Sequence, residues 1–386
     1  MQEDFHYYAT YCAAYLAGYS HEESRDIAYS AQFVDCCSRS LLEKLKGPRA
    51  AATTQTQPEL AEARTDLIGL QDITRIWSSF HFLPGKLGEK YPKHRSRKWL
   101  RKYQLICGPN SPLVADTVKL AKDKSLQAVG VAMHVLADTW AHREFAGTPS
   151  FVINNATSFD EILDVGGKKV YIPMIFNHNP TSSDDPDKGR YTNSLFTSDE
   201  NSIMNLGHGR AGHLPDYSYI RYRFLPAWGE YKFIYKDNPA DYYHAFAQMV
   251  FAMKYLRGVH NDFQVDCYEW DALDEYKDEI MGILEKNQLL SSDDWKAFGE
   301  KLSGNKIADF SLSKYQGEYM AADADLKDST FLGKFFLAAL AQKSMVTNKI
   351  FMSGNLLAGF SIDFEKKGFR GMKDYRKLIE RGEGKK

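Results

Sequence analysis

The sequence predicts a mainly α-helical protein with a loop-rich, short-strand insertion and additional C-terminal helices. Apolar and aromatic residues recur at helical spacing through the first 145 residues, and Gly, Pro, Asn, Asp and Ser clusters punctuate residues 147–236. Amphipathic stretches resume after Asn238. At 386 residues, 44% hydrophobic and 26% charged, the chain has ample material for a large core.

Asp4 to Tyr19 reads as the first helix, with Gly18 near its end. Ser20 and Glu23 match a capping box opening a second helix that runs to about Lys46, with Ala28, Ala31, Phe33, Val34 and Leu41 on its buried side. Residues 47–60 carry no apolar period and read as a polar linker. A short segment ending at Trp77-Ser-Ser-Phe-His81-Phe precedes the breaker Pro84-Gly85, and helices are expected at 112–122 and 125–145. Inside 147–236, Lys169 to Ile172 and Tyr231 to Tyr235 read as strands. Asn238-Pro239 suits the N-cap and first turn of a helix to about Leu256, with later helices at 271–287, 292–302, 328–345 and 372–381. A boundary near 260–270 separates a helical metal-binding region, 1–260, from a C-terminal helical region, 261–386, that is also compatible with one shared domain.

The formal net charge of −1 provides no global field to recruit nucleic acid or anionic lipid. Five cysteines, Cys36 and Cys37 adjacent and none in a CxxC pair, point to neither a disulfide framework nor a thiolate zinc site. The start MQEDFHYYATYC lacks the features of a Sec signal, and the expected localisation is cytoplasmic at synthesis. No apolar run approaches the ~20 residues of a membrane span. No G-x-S-x-G elbow, P-loop or G-x-G-x-x-G follows a strand-like segment.

The sharpest motif is His134-Val-Leu-Ala-Asp138-Thr-Trp-Ala-His142. On a helix, residues four apart share a face, and residues eight apart are separated by about 12 Å of rise. One ion does not reach both imidazoles, whereas two ions with Asp138 bridging between them do, so the spacing predicts a multinuclear metal site. Further candidates are His6 with Asp4 in D-F-H, Asp35 in the apolar stretch AQFVDCC, His81 between two phenylalanines, and His208, His213 and Asp216 in a Gly-rich turn. Histidines and carboxylates without cysteine suit zinc in an open, catalytic role, with another divalent metal as the alternative. Arg210, between His208 and His213, is a candidate for gripping a phosphoryl oxygen.

In order, these residues resemble the ligands of the zinc-dependent phospholipase C and single-strand nuclease superfamily. The resemblance covers about residues 1–220 and rests on ligand order, not on extended identity. It implies a helical metal-hydrolase core with two or three zinc ions that cleaves phosphodiester bonds in a phospholipid or a nucleic acid. Asp35, His81, His134 and Asp138 would hold one ion, and His142 with His213 or His208 and Asp216 a second. His6 and Asp138 would contribute to a third. Asp35 would act as general base. Those enzymes usually begin with a Trp whose amine and carbonyl bind metal; here the chain begins Met-Gln-Glu-Asp, so either Asp4 substitutes or the third ion is absent. The DFHYYATY start also resembles that of a bacterial family without assigned chemistry.

The basic stretch Lys86 to Lys102, containing Lys90, Lys93, Arg95, Arg97, Lys98 and Arg101, could steer a phosphate ester, although a solvated face accounts for it equally. Tyr217, Tyr219, Tyr222, Phe224 and Trp228 are expected at the surface, to stack bases or make peripheral membrane contact. A hydrolase without a Sec signal further suggests an effector exported by a signal-independent machine, with a secretion partner or cognate inhibitor. The alternative is a non-catalytic helical protein with a structural metal and a partner-binding C-terminal region.

Overall fold

A computed structural model describes residues 1–89, 95–177, 183–193 and 205–360. Among the described residues the protein is mainly helical, with one four-stranded sheet and a two-stranded pair. The first helix begins as a π-helix over Asp4–Ala9, every residue buried, and tightens to α-helix over Thr10–Leu16. Its wider first turns are a form that recurs at functional sites. The Ser20–Glu23 capping box is present, with Ser20 N donating to Glu23 Oε2 at 2.8 Å.

The second helix spans His21–Cys36 and stops well before Lys46. Cys37 leaves the helical region, and Ser38 caps a separate helix, Arg39–Leu45, by accepting Leu41 N. The orphan carbonyls at this break are taken up by Thr53, whose hydroxyl donates to Val34 O at 2.6 Å and whose amide donates to Cys37 O at 2.9 Å. The expected polar linker at 47–60 is therefore packed structure: Ala51, Ala52 and Thr53 are fully buried, and Gln57–Ala63 is helical. The segment before His81 is a full helix, Leu67–Phe80, capped by Asp66.

Helix Leu126–Ala141 crosses His21–Cys36 at Gly130. A Cβ there would meet Ile27 O at 2.4 Å and Ser30 Cβ at 2.5 Å, so only glycine lets these backbones approach. That crossing brings Asp35 within reach of His134. Helix Asn238–Leu256 starts where expected, but its cap is Asp237; Asn238 instead donates its amide to Leu214 O and Tyr217 O. Lys277–Glu285, Ser292–Ser303 and Phe331–Met352 follow. The helix expected at 372–381 lies outside the described residues. Trp295 packs edge-on against Phe5 and stacks on Phe246, so the chain after 260 shares one core with the first helix.

The insertion forms the antiparallel sheet β2-β1-β5-β6, from β1 (Ala156–Val165), β2 (Lys168–Pro173), β5 (Arg221–Pro226) and β6 (Ile234–Asp237), beside the parallel pair β3 (Ile175–Asn177) and β4 (Arg190–Thr192). β6 is displaced toward the C-terminus from the strand expected at Tyr231 to Tyr235. Along β5, Tyr222 and Phe224 point inward while Arg221 and Arg223 face outward, the two-residue period of a half-buried strand. Tyr217, Tyr219, Tyr222 and Phe224 are thus buried in a second core with Phe82 and Phe145, not offered to bases or a bilayer. No helix among the described residues is long and apolar enough to cross a membrane.

Gly130→Ala is expected to destabilise the fold by about 1–3 kcal/mol, the overpacking cost outweighing the helix-propensity gain of about 1 kcal/mol. Urea unfolding of the two proteins measures this, and an equal or greater stability in the variant would show that the two helices can separate without cost.

Candidate metal centre

Asp138 sits near the end of helix Leu126–Ala141 at 1% side-chain exposure. Its Oδ1 lies 3.2 Å from His6 Nε2, and its Oδ2 lies 3.3 Å from both His81 Nδ1 and His134 Nε2. Asp35, at the last turn of its helix, closes the same cluster, with Oδ1 3.7 Å from His81 Nδ1 and 3.9 Å from His134 Nε2. His6 and His134 stack with ring centroids 3.8 Å apart. On the other side of Asp138, His142 Nε2 stands 3.1 Å from Asp216 Oδ1, and His208 Nε2 stands 3.7 Å from Asp216 Oδ2.

The far sides of three imidazoles are fixed by backbone carbonyls. His81 Nε2–H donates to Thr53 O at 3.0 Å, His142 Nδ1–H to His81 O at 2.7 Å, and His208 Nδ1–H to Gly212 O at 2.7 Å. A neutral imidazole donating through one nitrogen presents a lone pair at the other. These pairs face Asp138, Asp35 and Asp216, which is how histidine ligands are oriented at metal sites. Three groups therefore converge, each with its donor atoms mutually within 4.8 Å: His6 with His134 and Asp138, Asp35 with His81 and His134, and His142 with His208 and Asp216.

Electrostatics divides the rings: desolvation opposes the charge on His81, but its contact with Asp138 and the Asp35 charge raise its pKa. Burial drives the pKa values of His6, His134 and His208 down to about 4, leaving them neutral at pH 7. Desolvation opposes the ionisation of Asp138 and Asp216, but surrounding positive charge and hydrogen bonds hold both well below the usual carboxylate range. Asp35 moves the other way, raised by desolvation, with Asp138 adding to the shift. His6 Nε2, although close to Asp138, is out of line for a hydrogen bond, and His6 Nδ1 and His134 Nδ1 are buried without a partner. A buried nitrogen left unpartnered costs free energy unless something binds it; His6 Nε2, which faces Asp138, is such a nitrogen, and with the His/Asp groups around it the residues present fit a divalent cation.

Residues 1–350 match a family of unknown function, DUF6765. The chain belongs to that family. No curated protein and no solved structure matches it. The DUF6765 match spans every residue of the cluster, from His6 to Asp216.

Two expected site residues stand elsewhere. Asp4 accepts Phe5 N at 2.8 Å and Ser291 N at 2.9 Å, bracing the first helix against the start of Ser292–Ser303. It is not the substitute ligand expected for it; the Met1 nitrogen lies in the cluster instead, 2.9 Å from Asp138 Oδ1 and 3.1 Å from Asp216 Oδ1. Burial opposes that ammonium charge, and the two aspartates outweigh it, lifting its pKa to about 11. Arg210 donates Nε to Asn205 Oδ1 at 2.8 Å and lies over the Phe151 ring, which makes it a brace of the loop rather than a phosphoryl clamp. His213, 62% exposed, touches Asp216 from the rim, and His208 is the one that completes the inner group. In the basic stretch, Lys86 pairs with Glu144 and lies over Tyr103 and Trp228, while Arg95 pairs with Glu230; Lys90 and Lys93 lie outside the described residues.

His142 is the C-cap of its helix, not a member of it. Lys236, fully buried, fixes that ending by donating Nζ to Trp140 O and Ala141 O at 3.0 Å each, and it pairs with Asp241 at 3.0 Å. Nothing in the local sequence of β6 signals this contact.

Burial lowers the Lys236 pKa from 10.5 to about 8 despite Asp241. Between those values the unfolded chain binds more protons, so this group makes stability rise with pH from about 8 to 10.5. Lys236→Met should lose about 3 kcal/mol at pH 7, because it leaves two helix carbonyls and part of Asp241 unsatisfied. The rise between pH 8 and 10.5 should shrink with it. Denaturant titrations across that range test both, and an unchanged pH slope would remove Lys236 as its source.

Proposed function

We propose that the chain is a metal-dependent hydrolase of phosphodiesters holding two or three divalent ions, zinc by its donor set, among three His/Asp groups of which two share His134. The observation that carries this reading is the trio of carbonyl-anchored histidines, His81, His142 and His208, aimed at the buried carboxylates of Asp138 and Asp216. His6, His134 and Asp138, with Asp35 and His81 beside them, and His142 with His208 and Asp216 are the residues that would hold divalent cations. Bound ions would supply Lewis acidity toward phosphoryl oxygens and make water more acidic.

The chain's own residues would complete the chemistry. Asp35, 30% exposed, stands where the cluster meets solvent. Its raised pKa makes it the group best matched to take a proton from an attacking water near neutral pH. Asp138 and Asp216 would remain ionised and hold cations without exchanging protons. Phe82, stacked on His142 and tilted against His208, would limit water on that side. The substrate would be a diester from a phospholipid or a nucleic acid.

Purified protein loaded with zinc should turn over bis-p-nitrophenyl phosphate and carry metal by elemental analysis. Asp138→Ala should lose both metal and turnover, and Asp35→Asn should reduce kcat by ~10²–10⁴-fold. Bound metal without turnover would make the site structural, and full turnover in Asp138→Ala would end the proposal.

A further inference from the structure

We infer that the groove between helices Leu126–Ala141 and Phe331–Met352 binds a single-chain amphiphile with an anionic head group. The two helices lie side by side, and alanines face the gap from both, Ala128 and Ala132 on one wall and Ala338 and Ala341 on the other, beside Leu120, Val131 and Leu337. Alanines at facing positions leave a volume that larger side chains would fill, here about 370 Å³. That volume lies at the lower end of the range for small-molecule pockets, which are apolar with a few placed polar groups.

The chemistry of the lining selects the ligand. Its two charged residues are Lys124 and Lys334, both exposed, and no acidic residue lines the groove. Neither lysine forms an ion pair with a described residue. Inside, Gln342 spends its amide hydrogens on Ser79 O and Thr117 Oγ1, at 3.1 and 3.0 Å. The interior thus presents an apolar wall and the edge presents two positive charges. An alkyl chain with a carboxylate, sulfate or phosphate head matches both. A second copy of the chain fits less well, since a two-fold contact over this face would set the same lysines against each other. Nucleic acid would match the charge and leave the apolar wall unused. The inference stands on the groove alone and does not require the chain to be a hydrolase.

Calorimetric titration of the full chain with dodecanoate and with dodecanol, both below their aggregation limits, tests it. Dodecanoate should bind saturably at one site per chain. Lys124→Glu with Lys334→Glu should weaken dodecanoate by ~10-fold or more while leaving dodecanol unchanged. Ala341→Phe fills the groove from an exposed position and should abolish both. Leu337→Asp, also at an exposed position, should do the same without adding bulk, so a folding defect in one variant leaves the other informative. Absence of saturable dodecanoate binding to the wild type, or equal affinity in every variant, overturns the inference. So does a dimer, seen by sedimentation, that Ala341→Phe disperses, because the groove would then be an interface between copies.

Discussion

An ionised carboxylate withdrawn from water costs several kcal/mol unless cations or hydrogen-bond donors surround it. Asp138 is buried almost completely, and the surrounding fold supplies its partners from separate parts of the chain. His6 comes from the first helix, His81 from the end of Leu67–Phe80, His134 from its own helix, and the Met1 nitrogen from the start of the chain. Each stands within 3.3 Å of an Asp138 oxygen, and the Met1 ammonium among them supplies positive charge. The cluster is therefore a constraint on the architecture as much as a product of it.

The architecture meets that constraint with close backbone contacts. Gly130 lets the Asp138 helix lie against the Asp35 helix. The π-helical start of the chain places His6 over His134. Lys236 ends the central helix after Ala141, which lets His142 turn toward Asp216 rather than continue along the helix axis. The sheet and its aromatic core then roof one side, with Phe82 passing from that core to the rings of His142 and His208.

Much of this was legible in the residues. The Ser20–Glu23 box, the 238–256 helix and the H-x3-D spacing follow from local rules, and the structure brings His6, Asp35, His81, His134, Asp138, His142, His208 and Asp216 together. What stayed hidden depends on partners distant in sequence. The break at Cys37 is stabilised by Thr53, and Thr53 also supplies the carbonyl that orients His81; both roles fall in a stretch whose composition reads as linker. Asp4 carries the right chemistry for a ligand, but two backbone amides already occupy its oxygens. The tyrosines of 217–222 look like surface residues in sequence because strands of an insertion carry no sign of whether a second core exists to receive them.

Burial itself prepares the centre for cations. Metal ligands must be deprotonated, and at most sites binding has to displace protons. Here desolvation already keeps His6, His134 and His208 neutral, with pKa values near 4, and the Met1 ammonium beside both carboxylates helps hold Asp138 and Asp216 ionised. Lone pairs and negative charge are thus available across the neutral range without prior proton loss from those five residues. Asp35 departs from the pattern because desolvation and the neighbouring Asp138 charge both raise its pKa, so its carboxyl holds a proton more readily than the rest. One cluster thus contains both fixed anions and a carboxyl that exchanges protons more readily, the division of roles that the proposed hydrolysis would require.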